Sequence, residues 1–299
     1  MPEARRLRLR DLLARCSFPP PGTVALAAVS GGADSSALLV LAVEAGCDVT
    51  AVHVDHRLRP SSADEADVVA ALAERFGARF VGRTVPVSPG PNLEARARRA
   101  RLAVVGPEAM TGHTADDQAE TVVLNLLRGA GLDGLAGMRP GVAKPLLGLR
   151  RRETRDLCRF LGITPVHDPS NTDRRFRRNQ VRHDVLPLLD AVAQRDVAGV
   201  LARSAGLWAE DADLLERLAA SLDPRDGRAL AAADPPLARR AVRRWLVGDR
   251  PPYPPDAATV ERVLEVARGR WRATDVGGGR RVVRREGRLR LEHDAGGER

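Results

Sequence analysis

Between residues 23 and 112 the sequence alternates short apolar runs with helical patterns, and this alternation constrains the fold more than any other feature. The apolar runs predict four strands, at residues 23–29, 48–54, 79–87 and 108–112. Helices are predicted between them, at residues 35–44, from the capping box Ser62-x-x-Glu65 to Gly77, and at residues 92–105. Strand-helix units of this spacing favour right-handed crossovers, so we expect a parallel, doubly wound sheet with helices on both faces.

The pattern changes after about residue 195. Helical periodicity then dominates, at residues 197–222 and 256–268, and GRRVVRREGRLRLEH predicts a β-hairpin that turns at Glu286-Gly287 and has one basic face. We therefore expect a catalytic domain over residues 1–195 and a smaller, basic, mainly helical domain over residues 196–299 that ends in the hairpin.

The charge of the chain favours a partner that carries phosphates. Among its 299 residues, 48 Lys and Arg against 39 Asp and Glu give a net charge of +9. However, Lys144 is the only lysine, and a proteome biased toward arginine would produce the same excess without nucleic-acid binding. The charge alone therefore leaves both interpretations open.

The cysteines and the hydropathy pattern indicate a cytoplasmic protein. Cys16, Cys47 and Cys158 lie far apart without a C-x-x-C pair, which argues against a disulfide framework or a zinc site. No apolar run reaches 18 residues, and the N-terminus lacks the apolar core of a secretory signal, so no membrane association is expected.

The first candidate site is the segment AVSGGADSS, where the first predicted strand turns into a helix. Gly31 and Gly32 permit a tight turn, and the free N–H groups of the following helix point back at it, which suits an anion. Hydroxyls from Ser30, Ser35 and Ser36 add donors, and Asp34 would carry a magnesium ion that bridges phosphates. The loop has no lysine of the G-x-x-x-x-G-K-[ST] type, which leaves room for chemistry at the α-phosphate. The alternative is a plain strand-to-helix turn.

The second candidate site is GHTADDQAET, at the end of the fourth predicted strand. Thr114 with Asp117 forms a predicted helix cap, and His113, Asp116 and Glu120 fall toward one side of the first turns. Such a concentration of carboxylates would attract an ammonium group, orient an amine or hold a metal. Ordinary capping, with acids that suit the helix dipole, is the alternative.

These motifs carry a family resemblance. SGGADS resembles the pyrophosphate-binding loop (PP-loop) of the N-type ATP pyrophosphatases, whose fold is adenine nucleotide alpha hydrolase-like. Residues 22–190 as a whole resemble the tRNA(Ile)-lysidine synthases, because further motifs follow this loop in the order found in that family. These motifs are HVDHRLR, NLEARARRARL, HTADDQAETVVLNLLRGAGLDGLAGM, KPLL and DPSNTDRRFRRNQVRHDVLPLL. The resemblance is looser beyond them.

The resemblance implies a ligase with ATP and Mg²⁺ as cofactors and with L-lysine and an isoleucine tRNA bearing a CAU anticodon as substrates. ATP would adenylate the wobble cytidine and release pyrophosphate, and lysine would then displace AMP to give lysidine. Oligomeric state is not readable from the sequence, and a homodimer is one possibility.

The resemblance also implies roles for individual residues. The catalytic residues would be Asp34, Arg98, His113, Asp116, Asp117 and Glu120, and Asp34 would also be the magnesium ligand. ATP would contact Ser30, Gly31, Gly32, Ala33, Asp34, Ser35 and Arg101. The tRNA would contact Arg128, Asn171, Arg178, Asn179 and Arg182. For Arg98 and Arg101 the alternative is a solvated basic helix face. For residues 168–182 the alternative is a long connection held by Asx turns.

Three other functions are compatible with parts of the sequence. A tRNA thiolase with the same loop would need a catalytic cysteine or a C-x-x-C pair, and these cysteines are poorly placed for that role. An amidotransferase synthetase would need a glutaminase domain. A non-catalytic RNA-binding protein would explain the charge, but not a carboxylate cluster beside a nucleotide loop.

Overall fold

The computed structural model describes residues 3–55, 57, 62–86, 96, 100, 103–167, 172–248 and 255–293. Its N-terminal part contains a parallel sheet of four strands in the order β3-β2-β1-β4: β1 (Val24–Ala28), β2 (Asp48–Asp55), β3 (Arg79–Thr84) and β4 (Met110–Thr111). The predicted parallel sheet is confirmed, and each strand coincides with a predicted run. β4 is short because only Met110 and Thr111 pair with β1.

The helices of this part connect the strands and continue after them. In chain order they are Glu3–Leu13, Ala33–Glu44, Ser62–Arg75, Ala115–Leu127, Leu132–Leu135, Arg151–Phe160, Arg177–Gln180, a π-helical turn Val181–Val185, Leu186–Ala193 and Val197–Ala220. The predicted helix 92–105 lies mostly outside the described residues, although residues 103–105 are helical.

The core is built around the helix Ala33–Glu44. Residues 37–43 of this helix are all apolar, and Leu38, Leu39 and Leu41 are fully buried. Leu157 and Cys158 of the helix Arg151–Phe160 belong to the same core, and the Cys158 thiol donates to the Ala33 carbonyl. This packing fixes the start of the helix Ala33–Glu44 at the carboxyl end of β1, where parallel sheets bind ligands.

The C-terminal part has its own core, formed by residues such as Val242, Leu264, Val282 and Leu289. Its helices are Gly227–Ala232, Pro235–Val247 and Ala257–Ala267, and its antiparallel sheet consists of β5 (Ala273–Gly277), β6 (Arg280–Arg285) and β7 (Arg288–His293). The predicted hairpin corresponds to β6 and β7, and its turn at Glu286 and Gly287 has φ angles of 51° and 80°. The hairpin prediction was incomplete, because β5 adds a third strand beside β6.

The backbone divides into two compact units, Met1–Trp208 and Ala209–Arg299, so that the division falls within the helix Val197–Ala220. The expected domain boundary between residues 195 and 196 stays a prediction. In the part of the chain that the structure describes, no helix has both the length and the hydrophobicity needed to cross a lipid bilayer.

Candidate active site

The glycine turn after β1 has the geometry of an anion-binding loop. Gly31 has a φ of 81°, and a Cβ there would lie 2.7 Å from the Cγ2 of Val166, so both conformation and space require glycine. The Ser35 hydroxyl accepts from the Ser30 N–H at 3.1 Å and lies 3.0 Å from the Gly32 carbonyl, to which it donates. Ala33 then begins the helix. The turn is therefore held open by its own hydrogen bonds, with the helix N-terminus directed into it.

Asp34 lies in the first turn of that helix and contacts the helix Arg151–Phe160. The Thr154 hydroxyl donates to its Oδ1, and the Arg151 Nε lies 3.5 Å from its Oδ2. Burial raises the pKa of Asp34 above the ordinary aspartate value, although the Thr154 hydrogen bond and the Arg151 charge act in the opposite direction. A carboxylate whose charge is poorly solvated gains from a bound cation.

The residues present fit a magnesium ion held together with substrate phosphates. Among the described residues no group of three or more His, Cys, Asp or Glu side chains is arranged to hold a metal. Mg²⁺ commonly binds through one or two carboxylates plus phosphate oxygens rather than in an all-protein cage. Asp34, beside the anion-binding turn, is the carboxylate that suits this role.

The second site begins at the helix Ala115–Leu127. The Asp117 Oδ2 accepts from the Thr114 N–H at 2.8 Å and from its hydroxyl at 2.9 Å, which forms the predicted cap. Asp116 and Glu120 lie on the same helix, and we call Asp116, Asp117 and Glu120 the carboxylate cluster. The Glu120 side chain has no exposed surface. A carboxylate buried to this extent requires charged partners.

Four arginines pair with the carboxylate cluster, and three of them contact Glu120. Arg150 binds Asp116 through two hydrogen bonds of 3.0 Å. Arg151 donates to Asp117 at 2.8 Å and to Glu120 at 3.1 Å. Arg178 and Arg182 each donate to Glu120 at 2.7 Å. Since Arg151 also approaches Asp34, its guanidinium connects the helix start after the glycine turn to the carboxylate cluster.

The arginines keep Asp116 and Asp117 ionised. Burial alone would raise the pKa of Asp117, but the charges of Arg151 and Arg178 outweigh it and lower this pKa to about 2. At Asp116 burial is likewise outweighed by hydrogen bonds from the Arg150 side chain and the Arg151 backbone, so the pKa is lowered. The sequence predicted that Asp116 and Glu120 fall toward one side of the helix. In the structure Glu120 shares Arg151 and Arg178 with Asp117, whereas the side chain of Asp116 is bound by Arg150.

The other predicted site residues fall into three groups. His113 lies at the end of β4, where its Nδ1 is 2.8 Å from the Thr111 hydroxyl. Arg128 is exposed at the end of the helix Ala115–Leu127, and Asn179 is buried and donates to the Asp173 carbonyl at 2.9 Å. Arg98, Arg101 and Asn171 lie outside the described residues.

Sequence reasoning missed Arg150, Arg151 and Thr154. Their segment, LRRRETRDL, has the charge density of a solvated amphipathic helix, and only its position after KPLL hinted at a role. Because their partners lie far away along the chain, no local pattern identified them.

The glycine-rich loop after the helix Ala115–Leu127 is tied to it by Gln118. The Gln118 amide donates to the Ala136 carbonyl at 3.1 Å and to the Met138 carbonyl at 3.0 Å, and it accepts from the Met138 N–H at 2.8 Å. These hydrogen bonds hold the loop against the helix that carries the carboxylate cluster.

Comparisons with known proteins place this site in context. The chain matches the family models of the PP-loop domain over residues 7–189 and the TilS substrate binding domain over residues 228–290. It is 42% identical over 303 residues to the tRNA(Ile)-lysidine synthase of Nocardia farcinica, covering 93% of this chain and 94% of that one. It is 40% identical over 299 residues to the tRNA(Ile)-lysidine synthase of Rhodococcus opacus, covering 92% of this chain and 91% of that one.

Among solved structures, the chain is similar to a U34-tRNA thiolase from Methanococcus maripaludis. The two share 17% identity with a TM-score of 0.50, over 68% of this chain and 78% of the thiolase. At this identity the likeness concerns the fold alone.

Proposed function

The chain belongs to the tRNA(Ile)-lysidine synthase family, and from this premise we propose how its residues act. The reaction joins L-lysine to carbon 2 of the wobble cytidine of an isoleucine tRNA with a CAU anticodon. ATP adenylates O2 of the cytidine and releases pyrophosphate; the side-chain amine of lysine then attacks carbon 2 and expels AMP. The observation that supports this most directly is Arg151, which connects an anion-binding loop to a buried carboxylate cluster.

ATP would bind at the turn formed by residues 30–35. The N–H groups at the start of the helix Ala33–Glu44 face the pyrophosphate, and the Ser30–Ser35 hydrogen bonds keep the turn in shape before the nucleotide arrives. Mg²⁺, when bound at Asp34, neutralises charge on the phosphates. Arg98 as a catalytic residue and Arg101 as an ATP contact also belong to this proposal.

The carboxylate cluster would receive the side-chain ammonium of lysine. An amine with an ordinary pKa of about 10.4 is protonated at neutral pH and is no nucleophile until it loses a proton. Asp116, Asp117 and Glu120 attract the ammonium, and one of them accepts its proton as the amine approaches the adenylated base. We assign His113 a positioning role at the same strand end.

RNA would be held by residues on both units. The proposed tRNA contacts of the first unit are Arg128, Asn171, Arg178, Asn179 and Arg182. In the second unit, the proposed contact is the basic face of the C-terminal sheet. We further propose that the protein is located in the cytoplasm and that it forms a homodimer.

The proposal is tested by measuring AMP release from labelled ATP with magnesium, the unmodified tRNA and L-lysine, omitting each component in turn. We expect AMP to form in proportion to the lysine incorporated into tRNA, and we expect Asp34→Ala to abolish both. Asp48→Ala is the matched control, because Asp48 pairs with Arg79 at the start of β2, away from the strand ends that form the site. AMP release without lysine but dependent on a sulfur or ammonia donor would overturn the proposal.

A further inference from the structure

The carboxylates proposed to bind lysine are already occupied by arginines. Glu120 Oε1 accepts from Arg151 at 3.1 Å and from Arg182 at 2.7 Å, and its Oε2 accepts from Arg178 at 2.7 Å and from Arg182 at 3.1 Å. Asp117 Oδ1 accepts from Arg151 at 2.8 Å and from Arg178 at 3.2 Å. These contacts fill the acceptor positions that a lysine ammonium would need.

The formal charges around Glu120 also balance, and Asp116 is paired separately with Arg150. In the described part of the chain, the carboxylates of Asp34, Asp117 and Glu120 face the guanidiniums of Arg151, Arg178 and Arg182. A further cation that entered would be a buried charge without a carboxylate partner of its own, which is strongly unfavourable. Lysine can therefore bind well only if a guanidinium leaves.

The three arginines differ in how easily they can leave. The Arg151 side chain is 12% exposed and bonds to carboxylates from two different helices. The side chains of Arg178 and Arg182 are 22% and 21% exposed, so they already reach solvent. They also flank the point where the helix changes from α to π, a backbone irregularity that is frequent at functional sites.

The segment that carries these two arginines is itself basic. Between residues 174 and 182 it holds five arginines, and the side chains of Arg174 and Arg175 are exposed and paired only with surface aspartates in the contacts described. Phosphate is a good alternative partner for a guanidinium, because it accepts two parallel hydrogen bonds as a carboxylate does. An RNA backbone against this segment would offer such partners.

We propose that Arg178 and Arg182 hold the lysine position in the free chain and transfer to RNA phosphates when tRNA binds, which opens the carboxylate cluster to lysine. This rests on the proposed function and deepens it. Lysine binding then depends on tRNA, so the amine enters only when the base it will attack is present.

The size of the effect follows from the population of the open state. If the open state makes up about a tenth or less of the free chain, lysine binds the free chain at least about 10-fold more weakly than it binds the tRNA complex. Replacing Arg178 and Arg182 by glutamine removes the internal competitor. The variant therefore binds lysine in the absence of RNA at least about 10-fold more tightly than the wild-type chain does.

The experiment is equilibrium dialysis of labelled L-lysine against the full chain, with an ATP analogue whose α–β bridge cannot be cleaved, with and without a CAU anticodon stem-loop. We expect RNA to tighten lysine binding to the wild-type chain. In the Arg178→Gln, Arg182→Gln double variant we expect RNA to leave the affinity for lysine nearly unchanged. Arg178→Lys with Arg182→Lys keeps the charge and should restore the RNA dependence. Arg174→Gln is the matched control, because Arg174 lies on the same segment but pairs with Asp184.

Two results would overturn the proposal. One is that RNA does not change lysine binding to the wild-type chain. The other is that, in the absence of RNA, the glutamine variant binds lysine more weakly than the wild-type chain does. Retained binding of the ATP analogue shows that each variant is folded. If the wild-type chain forms no lysidine under any condition, the proposed function fails. If lysidine forms while lysine binding ignores RNA, only the present inference fails.

Discussion

Asp117 links the stability of the fold to pH. Its pKa of about 2 in the folded chain lies below the value of about 3.9 expected when unfolded. A lowered pKa contributes stability that is fully present above the unfolded value and is lost as the pH falls through the folded value. The contribution, on the order of 2 kcal/mol, should therefore disappear between about pH 4 and pH 2.

Asp117→Asn tests this contribution. We expect the variant to be less stable than the wild-type chain at pH 7 by on the order of 2 kcal/mol, with the two curves converging toward pH 2. The measurement is urea unfolding at a series of pH values. Asp156→Asn, at a surface carboxylate paired with Arg159, should run parallel to the wild-type curve. A constant difference between Asp117→Asn and wild type across the range would contradict the assignment.

Thr154 tunes Asp34 through one hydroxyl. Because burial raises the pKa of Asp34 and the Thr154 hydrogen bond lowers it, removal of the hydroxyl should raise this pKa further. Thr154→Val keeps the shape of this buried side chain. If ionised Asp34 is needed, the acid limb of the rate of AMP release moves to higher pH in the valine variant. Thr154→Ser keeps the donor and should retain the wild-type profile, and identical profiles for valine and serine would exclude the role.

At the scale of elements, Gly112 sets how closely the end of β4 approaches the proposed ATP-binding turn. A Cβ at this position would lie 2.8 Å from the Asp34 carbonyl carbon and oxygen and 3.0 Å from the Ser35 N. These are backbone atoms of a fully packed helix, so they cannot move aside as a flexible side chain would. The glycine therefore places the His113 end of β4 against the start of the helix Ala33–Glu44.

Gly112→Ala should displace that helix start. We expect a loss of more than about 1 kcal/mol in the free energy of unfolding, from overpacking, together with at least about 10-fold weaker ATP binding. Gly206→Ala is the control, because Gly206 lies in the helix Val197–Ala220, where a Cβ meets nothing within 4 Å and alanine is the better helix former. It should stabilise the chain by about 0.5–1 kcal/mol. Denaturant unfolding and nucleotide titration decide the matter, and unaltered ATP binding by Gly112→Ala would refute the argument.

The sequence predicted those elements whose signals are local. β2 was readable because a parallel strand buried on both faces forms a nearly continuous apolar run. β1 was readable because VALAA is apolar throughout, although Val24 and Leu26 are exposed. The cap at Thr114 was readable from its spacing to Asp117. β5 was missed because ATDVG is short and not clearly alternating. The helix Arg151–Phe160 was missed because charged side chains dominate its pattern.

The carboxylates of the site were likewise predictable, since they share one helix, but their partners were not. Asp116 and Arg150 are 34 residues apart in the chain, and Asp117 and Arg178 are 61 apart. Only the tertiary fold brings such residues together, and an arginine that neutralises a buried carboxylate looks in the sequence like any surface arginine. Arg178 and Arg182 were predicted as RNA contacts without any indication that they bind Asp117 and Glu120.

At the scale of the whole molecule, the net charge of +9 is distributed over both units. In the second unit, the register of β6 and β7 places Arg281, Arg285, Arg288 and Arg290 on one face of the sheet, opposite the face that contributes Val282 and Leu289 to the core. An RNA that contacts this face would release counterions, so its affinity should fall linearly with the logarithm of salt concentration.

Arg281→Gln with Arg290→Gln tests whether this face binds phosphates. Each phosphate contact contributes about 0.9 to the salt slope, so the double variant should lower the slope by about 2 and weaken tRNA binding most at low salt. Arg203→Gln with Arg217→Gln removes the same charge from exposed positions of the helix Val197–Ala220 and should leave the slope nearly unchanged. Filter binding of the tRNA at salt concentrations between about 50 and 200 mM measures both slopes. Equal slopes for the two double variants would mean that the sheet acts through net charge alone rather than through direct phosphate contacts.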